Sequence, residues 1–353
     1  VIQIFTKRGR AGRPRWTLNV DQGLSFVGHV GPKGDERGLN LNDCSGEPGC
    51  PESGSWLRTG WVQDYDLSVR GGTEDVTYYL SVGSNNTEGI MNADQSSKMR
   101  NFRGNFTFNG FEDFQVRVNS SYVRRDVVWV PNQDGDEGLF WNVVRGDQGE
   151  TPDNDDSAIL EQDLDQFINQ FNIGTQIDWT PSNGFRHRLN TGMDYSSSHY
   201  IYYRPVGYWS TPDGERGTDI ENRLTLSTDY RIMYGSGIPF LSEDWSSNLA
   251  AGAQYTMREH LGLRADVRDF AGPGEKRLQN GTERWNSNEE EDRDEIFGFF
   301  VQEEIGWKNR AFLTLGFRAD SHSSFGDDLE VDYGLLTYPK AQFTYTLSDH
   351  DFW

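Results

Sequence analysis

The chain has 353 residues, 55 Asp+Glu against 33 Lys+Arg, a formal net charge of −22, two cysteines and 39 glycines. So acidic a chain repels the phosphate backbone of nucleic acid, and it holds no basic cluster dense enough to reverse that, so nucleic-acid binding is excluded. Apolar residues make up only 35% and nowhere approach the roughly 20 consecutive positions of a membrane helix. A transmembrane barrel stays open, because its strands alternate lipid-facing and lumen-facing residues and average out to look soluble.

Val1-Ile2-Gln3-Ile4-Phe5-Thr6 reads as a strand already under way, with no methionine, basic segment or apolar leader before it, so the chain is expected to begin inside a longer protein. After it, period-two alternation recurs and helical periodicity is hard to find. Phe102, Phe106 and Phe108 oppose Arg103, Asn105 and Thr107; Phe114, Val116, Val118 and Tyr122 oppose Gln115, Arg117, Asn119 and Ser121. Phe171, Ile173, Ile177 and Trp179 continue the pattern against Asn172, Gln176 and Asp178. The runs from 186 to 204 and from 245 to 266 exceed the 9 to 11 tilted residues that cross a bilayer and are expected to continue beyond it. Phe297, Phe299, Val301, Ile305 and Trp307 are interrupted by Glu303, and Leu313, Leu315 and Phe317 oppose Thr314, Gly316 and Arg318. Near the end Asp349 and Asp351 break the alternating frame before Trp353, so the chain is expected to stop inside the protein too. About eleven or twelve strands follow the first short one, in one domain.

Alternation by itself fits a soluble sandwich with one wet face equally well. The connections discriminate. Short turns are read near Gly71 to Asp75, Asn109 to Asp113, Pro181 to Gly184 and Lys308 to Arg310, with Gly235 to Asp244 as an intermediate fifth member. Long polar connections fall between them, at about 28–61, 86–97, 127–165, 204–218, 265–293 and 324–334. Strict parity of this kind is a property of an up-and-down membrane barrel, with tight turns at one rim and long loops at the other. The fold class read is therefore all-β, an antiparallel up-and-down transmembrane β-barrel. The alternative is a secreted soluble β-sandwich or carbohydrate-binding module.

Several blocks resemble the SusC/RagA-type TonB-dependent receptors of the outer membrane. Val1 to Gly9, VIQIFTKRG, is similar to the last strand of that family's plug domain. Asp66 to Met91, DLSVRGGTEDVTYYLSVGSNNTEGIM, resembles its second and third barrel strands with the loop above them, and Lys98 to Asn109 continues the match. Phe299 to Gly326, FFVQEEIGWKNRAFLTLGFRADSHSSFG, resembles a central barrel hairpin, and Tyr338-Pro339-Lys340-Ala341 is again family-like. The resemblance implies a 22-stranded barrel around an N-terminal plug, of which this chain holds the plug's end (1–9) and the first half of the barrel (10–353). It also implies nutrient uptake of an oligosaccharide or peptide, energy from the TonB-ExbB-ExbD complex, a SusD-like surface lipoprotein as partner and outer-membrane lipid around the wall.

Candidate sites follow from these expectations. Trp129, Trp141, Tyr208 and Trp209 sit at loop bases or tips, where flat rings stack on sugars or pack on peptide side chains. Tyr200 and Tyr202 are assigned instead to the aromatic girdle. The polar frame gives Arg103, Asn105, Arg117, Asn119, Arg223, Asp229, Arg318 and Asp320 as lumen-lining residues. Cys44 and Cys50 in CSGEPGC can close a small disulfide ring in an oxidising compartment or stay as free thiols, and the ring, if closed, stiffens an exposed loop. The acidic runs at 134–138, 153–156 and 289–294 lack calcium-loop spacing and read as solvated loops. No nucleophile elbow, zinc-protease motif or phosphate-cradling glycine loop occurs, so neither an enzyme, a cofactor nor a metal site is expected.

Overall fold

The computed structural model describes residues 7–27, 41, 43–132, 137–145, 151–181, 184–237, 244–323 and 335–349. The plug strand read at Val1 to Thr6, most of the first acidic run and the connection at 324–334 lie outside the described residues. Twelve antiparallel strands form one sheet, each paired with its successor. They are β1 Gly12–Ser25, β2 Gly60–Gly72, β3 Val76–Glu88, β4 Ser96–Phe111, β5 Phe114–Val128 and β6 Asp163–Trp179. Then come β7 Phe185–Arg204, β8 Glu215–Gly237, β9 Trp245–Phe270, β10 Gly281–Trp307, β11 Ala311–His322 and β12 Leu335–Tyr345. A sandwich needs two facing sheets, so this meander replaces that alternative.

The register shows how the alternation is used. Directly opposed residues share a face, and Leu18, Leu67, Val82, Phe102, Tyr122, Phe171, Tyr195 and Leu224 form one continuous row across β1 to β8. These side chains stand out from the sheet, with Val82 52% and Phe102 49% exposed. At the short-turn rim the outer row is aromatic. Phe114 stacks on Trp179 (5.5 Å between ring centroids) and Trp179 on His187 (4.4 Å), Phe185 lies tilted 4.7 Å from Tyr234, and Trp245 lies 6.3 Å from Trp307. From Trp179 up to Phe171 the strand covers about 26 Å at about 3.3 Å per residue, which a tilt of about 40° turns into about 20 Å of the roughly 25 Å height of a lipid-facing band. Glu303 stands on this outer face and accepts a hydrogen bond from the Ser247 hydroxyl at 2.5 Å.

The connections keep the parity. β4 and β5 join through Glu112 and Asp113, with Asp113 in the left-handed region at φ 66°. The 265–293 connection is corrected, because β9 runs to Phe270 and β10 starts at Gly281, so the acidic run 289–294 is strand and not loop. Both faces of a strand above the lipid meet water, so its outer face loses the apolar period by which strands were recognised. The strands β8 to β10, with 23, 26 and 27 residues, rise well beyond the band.

The most deeply buried apolar cluster lies in the loops. Leu41, Cys44, Trp56, Met91, Val130, Leu139, Val143 and Ile159 pack together, contributed by the β1–β2, β3–β4 and β5–β6 connections. The backbone ties them as well: Trp56 N donates to Leu41 O (3.1 Å), Arg58 N to Ile90 O (2.8 Å), and Asn92 N to Trp56 O (2.7 Å). A short helix, Leu139–Arg145, closes the cluster from the third loop. Cys44 and Cys50 form a disulfide with their Cα atoms 5.6 Å apart. Cys44 is 1% exposed and packs in the cluster, while Ser45 to Pro48 of the ring are exposed, so the ring ties an exposed loop to a packed cap. Gly49, at φ +71°, sits so close to Asp155 of the third loop that a Cβ would collide with its carboxylate.

Candidate functional site

The inner face of the wall is polar and heavily cross-linked. Asn105, Asn119 and Gly174 occupy one inward row, and Arg103, Ser121 and Asn172 the next. Arg117 pairs with Asp178 at 2.9 Å, and Arg188 holds the same carboxylate at 2.6 Å. Asp229 accepts from Gln254 at 2.9 Å and pairs with Arg231 at 2.9 Å. Arg318 pairs with Asp320 at 2.9 Å, and Arg223 with Glu221 at 2.8 Å. All eight residues read as lumen-lining lie on this face, opposite the apolar rows. Asn119, Asp229 and Arg318 border a hollow of 470 Å³ where Gly174 and Gly192 oppose each other without side chains. The Asn105 side chain donates to the carbonyl of Lys7 at 2.6 Å, so the segment leading into β1 crosses the inside of the wall.

Above the band the same face widens into a chamber of 820 Å³ between the cap and the tops of β6 to β10. Its aromatic members are Trp129, Phe140, Tyr200, Tyr202 and Trp285; Met91, Val130, Pro131 and Leu164 add an aliphatic side. Tyr200 and Tyr202 were read as girdle, and the structure corrects that. Gln166 opposes Tyr200 and Leu164 opposes Tyr202 on the inward frame, the frame of Asn190 and Asp194, whereas the outward row carries Tyr195. Counting by twos from Tyr195 would have revealed it.

The charged floor of the chamber was missed by the sequence reading. Glu215 and Asp266 are each 1% exposed. Glu215 takes Arg204 at 2.7 Å and Arg268 at 3.1 Å, and Tyr202 donates to it at 3.2 Å. Asp266 takes Arg264 at 3.0 Å and the amide of Asn286 at 2.8 Å. Arg204 also reaches Glu137 of the third loop, which joins chamber floor to cap. Burial, reinforced by the Glu215 and Asp266 charges, pushes the Tyr202 hydroxyl far above its usual range, so it stays a donor. The hydrogen bond to Asp266 raises Arg264 further.

The loop aromatics divide. Trp129 lines the chamber and is 46% exposed. Trp141 is half-buried on the short helix, outside the chamber lining, and Trp209 is half-buried with its ring 5.9 Å from that of Tyr208. Tyr208 is a correction, since it is fully buried and its hydroxyl accepts from Gln162 at 2.9 Å, which removes it from any surface that a ligand touches.

No family model matches the chain. It is similar to the TonB-dependent receptor P26 of Formosa agariphila, 23% identical over 319 residues, which is 82% of this chain and 30% of the relative. Among solved structures it is similar to the RagAB peptide transporter, with a TM-score of 0.74 at 16% identity over 95% of this chain and 45% of that one. The outer membrane transporter YddB from Escherichia coli follows at 0.58, 11% identity, 96% and 42%, and the ferric preacinetobactin receptor BauA from Acinetobacter baumannii at 0.53, 12% identity, 98% and 46%. The chain thus spans less than half the length of these relatives. It shares the fold of these outer-membrane proteins, as a meander of antiparallel strands from a barrel wall, and its sequence is similar to that of a TonB-dependent receptor.

Proposed function

We propose that the chain serves a SusC/RagA-type TonB-dependent importer, with Val1 to Gly9 as the end of its plug and residues 10–353 as the first half of its barrel. The observation that carries this reading is a mixed aromatic and polar chamber at the long-loop rim that opens onto a polar inner wall behind an apolar outer band. A nutrient held in the chamber, against Trp129 among others, would pass down a surface of paired donors and acceptors such as Arg117, Asn119 and Asp229 once the plug moves. The hydrogen bond from Asn105 to Lys7 O supports a plug that exits along this wall. Energy would come from the TonB-ExbB-ExbD complex acting on the plug, and a SusD-like lipoprotein would close the loop rim.

Of the two substrate classes, an oligosaccharide or a peptide, the aliphatic side of the chamber favours a peptide, because Met91, Val130, Pro131 and Leu164 offer apolar surface that a sugar's hydroxyls would have to desolvate against. The structural likeness to the RagAB peptide transporter points the same way. Uptake of labelled peptides from a protein digest should vanish when the gene is deleted from its host, and also when the host's proton gradient is collapsed. Undiminished uptake by the deletion strain would remove the reading.

A further inference from the structure

We propose that Arg264 and Arg268 form a carboxylate-recognition site in the chamber, and that it captures peptides by a free carboxyl group next to an apolar side chain. The proposal rests on the importer reading and names the ligand feature that the site selects.

Charge is the first argument. The described lining of the chamber holds Arg204, Arg264 and Arg268 with Glu215, and Asp266 and Glu137 behind them bring the set to three cations against three carboxylates. In a chain of net charge −22 that balance, with the carboxylates covered and Arg264 and Arg268 half exposed, leaves guanidinium groups facing the space that a ligand would fill.

Layering is the second. Glu215 and Asp266 lie behind the arginines at 1% exposure, while the side chains of Arg264 and Arg268 keep 47% and 38% of their surface. Buried ion pairs are seldom worth their desolvation cost as stabilisers, since apolar side chains of similar volume do as well or better. Carboxylates placed behind half-exposed guanidinium groups do something apolar residues cannot, which is to hold those groups in one orientation. Arg268 is fixed twice, by Glu215 at 3.1 Å and by stacking over the Trp285 ring at 4.2 Å. Arg264 spends its Nε on Asp266, and a guanidinium carries four further N–H donors. A planar fork of this kind matches a carboxylate with two parallel hydrogen bonds.

The third argument is the packing of Gly217. Its Cα lies against the Tyr202 ring and the Asp266 carboxylate so tightly that a methyl group would collide with both. Only a glycine at 217 leaves the Asp266 carboxylate the place it holds beside Arg264. In the same chamber, Trp129, Phe140 and Leu164 supply the apolar surface for the neighbouring side chain.

The test uses the complete receptor, purified in detergent and immobilised, with a chymotryptic digest of casein whose peptides end in apolar residues with free carboxyl groups. A second portion of the digest has its carboxyl groups converted to amides, and oligogalacturonate is run in parallel. The native digest should leave at least tenfold more peptide on the receptor than the amidated one, and Arg264→Gln and Arg268→Gln should each erase that preference. The comparison of the two digests needs no variant, so it stands even if a substitution disturbs the loops. Equal retention of both digests, with peptide uptake by cells intact, would overturn the carboxylate site and leave the importer reading in place. Retention of oligogalacturonate without peptide would assign the carboxylate to a sugar and overturn the peptide commitment. Nothing retained from any probe, by a receptor whose barrel still shows heat-modifiable migration, would overturn the site and the peptide importer together.

Discussion

Val82 and Phe102 of the barrel wall are about half exposed, whereas Leu41, Leu139 and Ile159 of the loop cap are not exposed at all. One chain therefore holds two kinds of order. The wall is joined by an unbroken ladder of backbone hydrogen bonds from β1 to β12 and leaves the covering of its apolar face to lipid. The cap has little regular structure and excludes water by side-chain packing, as a small soluble domain does, with a disulfide in its centre. Damage to the two regions should therefore be separable: packing defects should loosen the cap and spare the wall, while charge placed on the lipid face should do the reverse.

The sharpest break expected is Trp56→Ala. Trp56 is 3% exposed in the cap cluster, and truncating a buried aromatic costs about 3 to 5 kcal/mol. Hydrogen exchange should show the three loops opening together while the strands keep their protection; equal loss of protection in both would abolish the distinction. On the wall, Phe299→Arg should cost about 2 to 4 kcal/mol when the receptor folds into lipid vesicles, with Asn119→Arg on the inner face costing far less. Similar penalties for the two would remove the assignment of faces.

Removing the Cys44–Cys50 bridge should matter less. The ring is closed across a sequence separation of six, so the entropic stabilisation stays at or below the roughly 3 kcal/mol expected for a 15-residue loop. A double Cys→Ser variant should become more sensitive to protease in residues 41–59 and migrate as an intact barrel; unchanged digestion of that loop would show that packing alone holds it.

The smallest effect concerns pH. Burial, and next the Glu137 charge, push the Tyr208 hydroxyl up to about 12 from the usual 10. With the folded value raised, the neutral form is the one that the folded loop favours, so its contribution is complete below pH 10 and is lost as pH climbs towards about 12. Tyr202 also titrates late, so the late phenolate absorbance that a Tyr208→Phe variant removes should appear only as residues 205–214 become protease-sensitive. Ionisation of every tyrosine near pH 10 with that loop intact would contradict the burial.

The wall was legible in the sequence because its signals are local. The alternation through Phe102, Phe106 and Phe108, and the regular exchange of short turns with long loops, each lie within a few residues of chain. Where the pattern failed, physics explains the failure. Residues 281–293 read as loop because that part of β10 has water on both sides and needs no apolar face. Tyr200 and Tyr202 were read by residue type, as girdle tyrosines, when their position in the frame already pointed inward. Tyr208 was taken for a loop tip because nothing local shows that Gln162, 46 positions away, waits for its hydroxyl.

What the sequence determined by itself is therefore the strand period, the parity of the turns and the sidedness of the wall, since backbone geometry alternates side chains every residue wherever a strand forms. Only the tertiary structure decided that three loops would share one core from Leu41 to Ile159, and that arginines from β7 and β9 would meet carboxylates from β8 and β9 at the rim of one chamber. Those contacts depend on which long connections close over which strand ends, and no pattern along a single strand encodes an encounter between segments as far apart in sequence as Leu41 and Ile159.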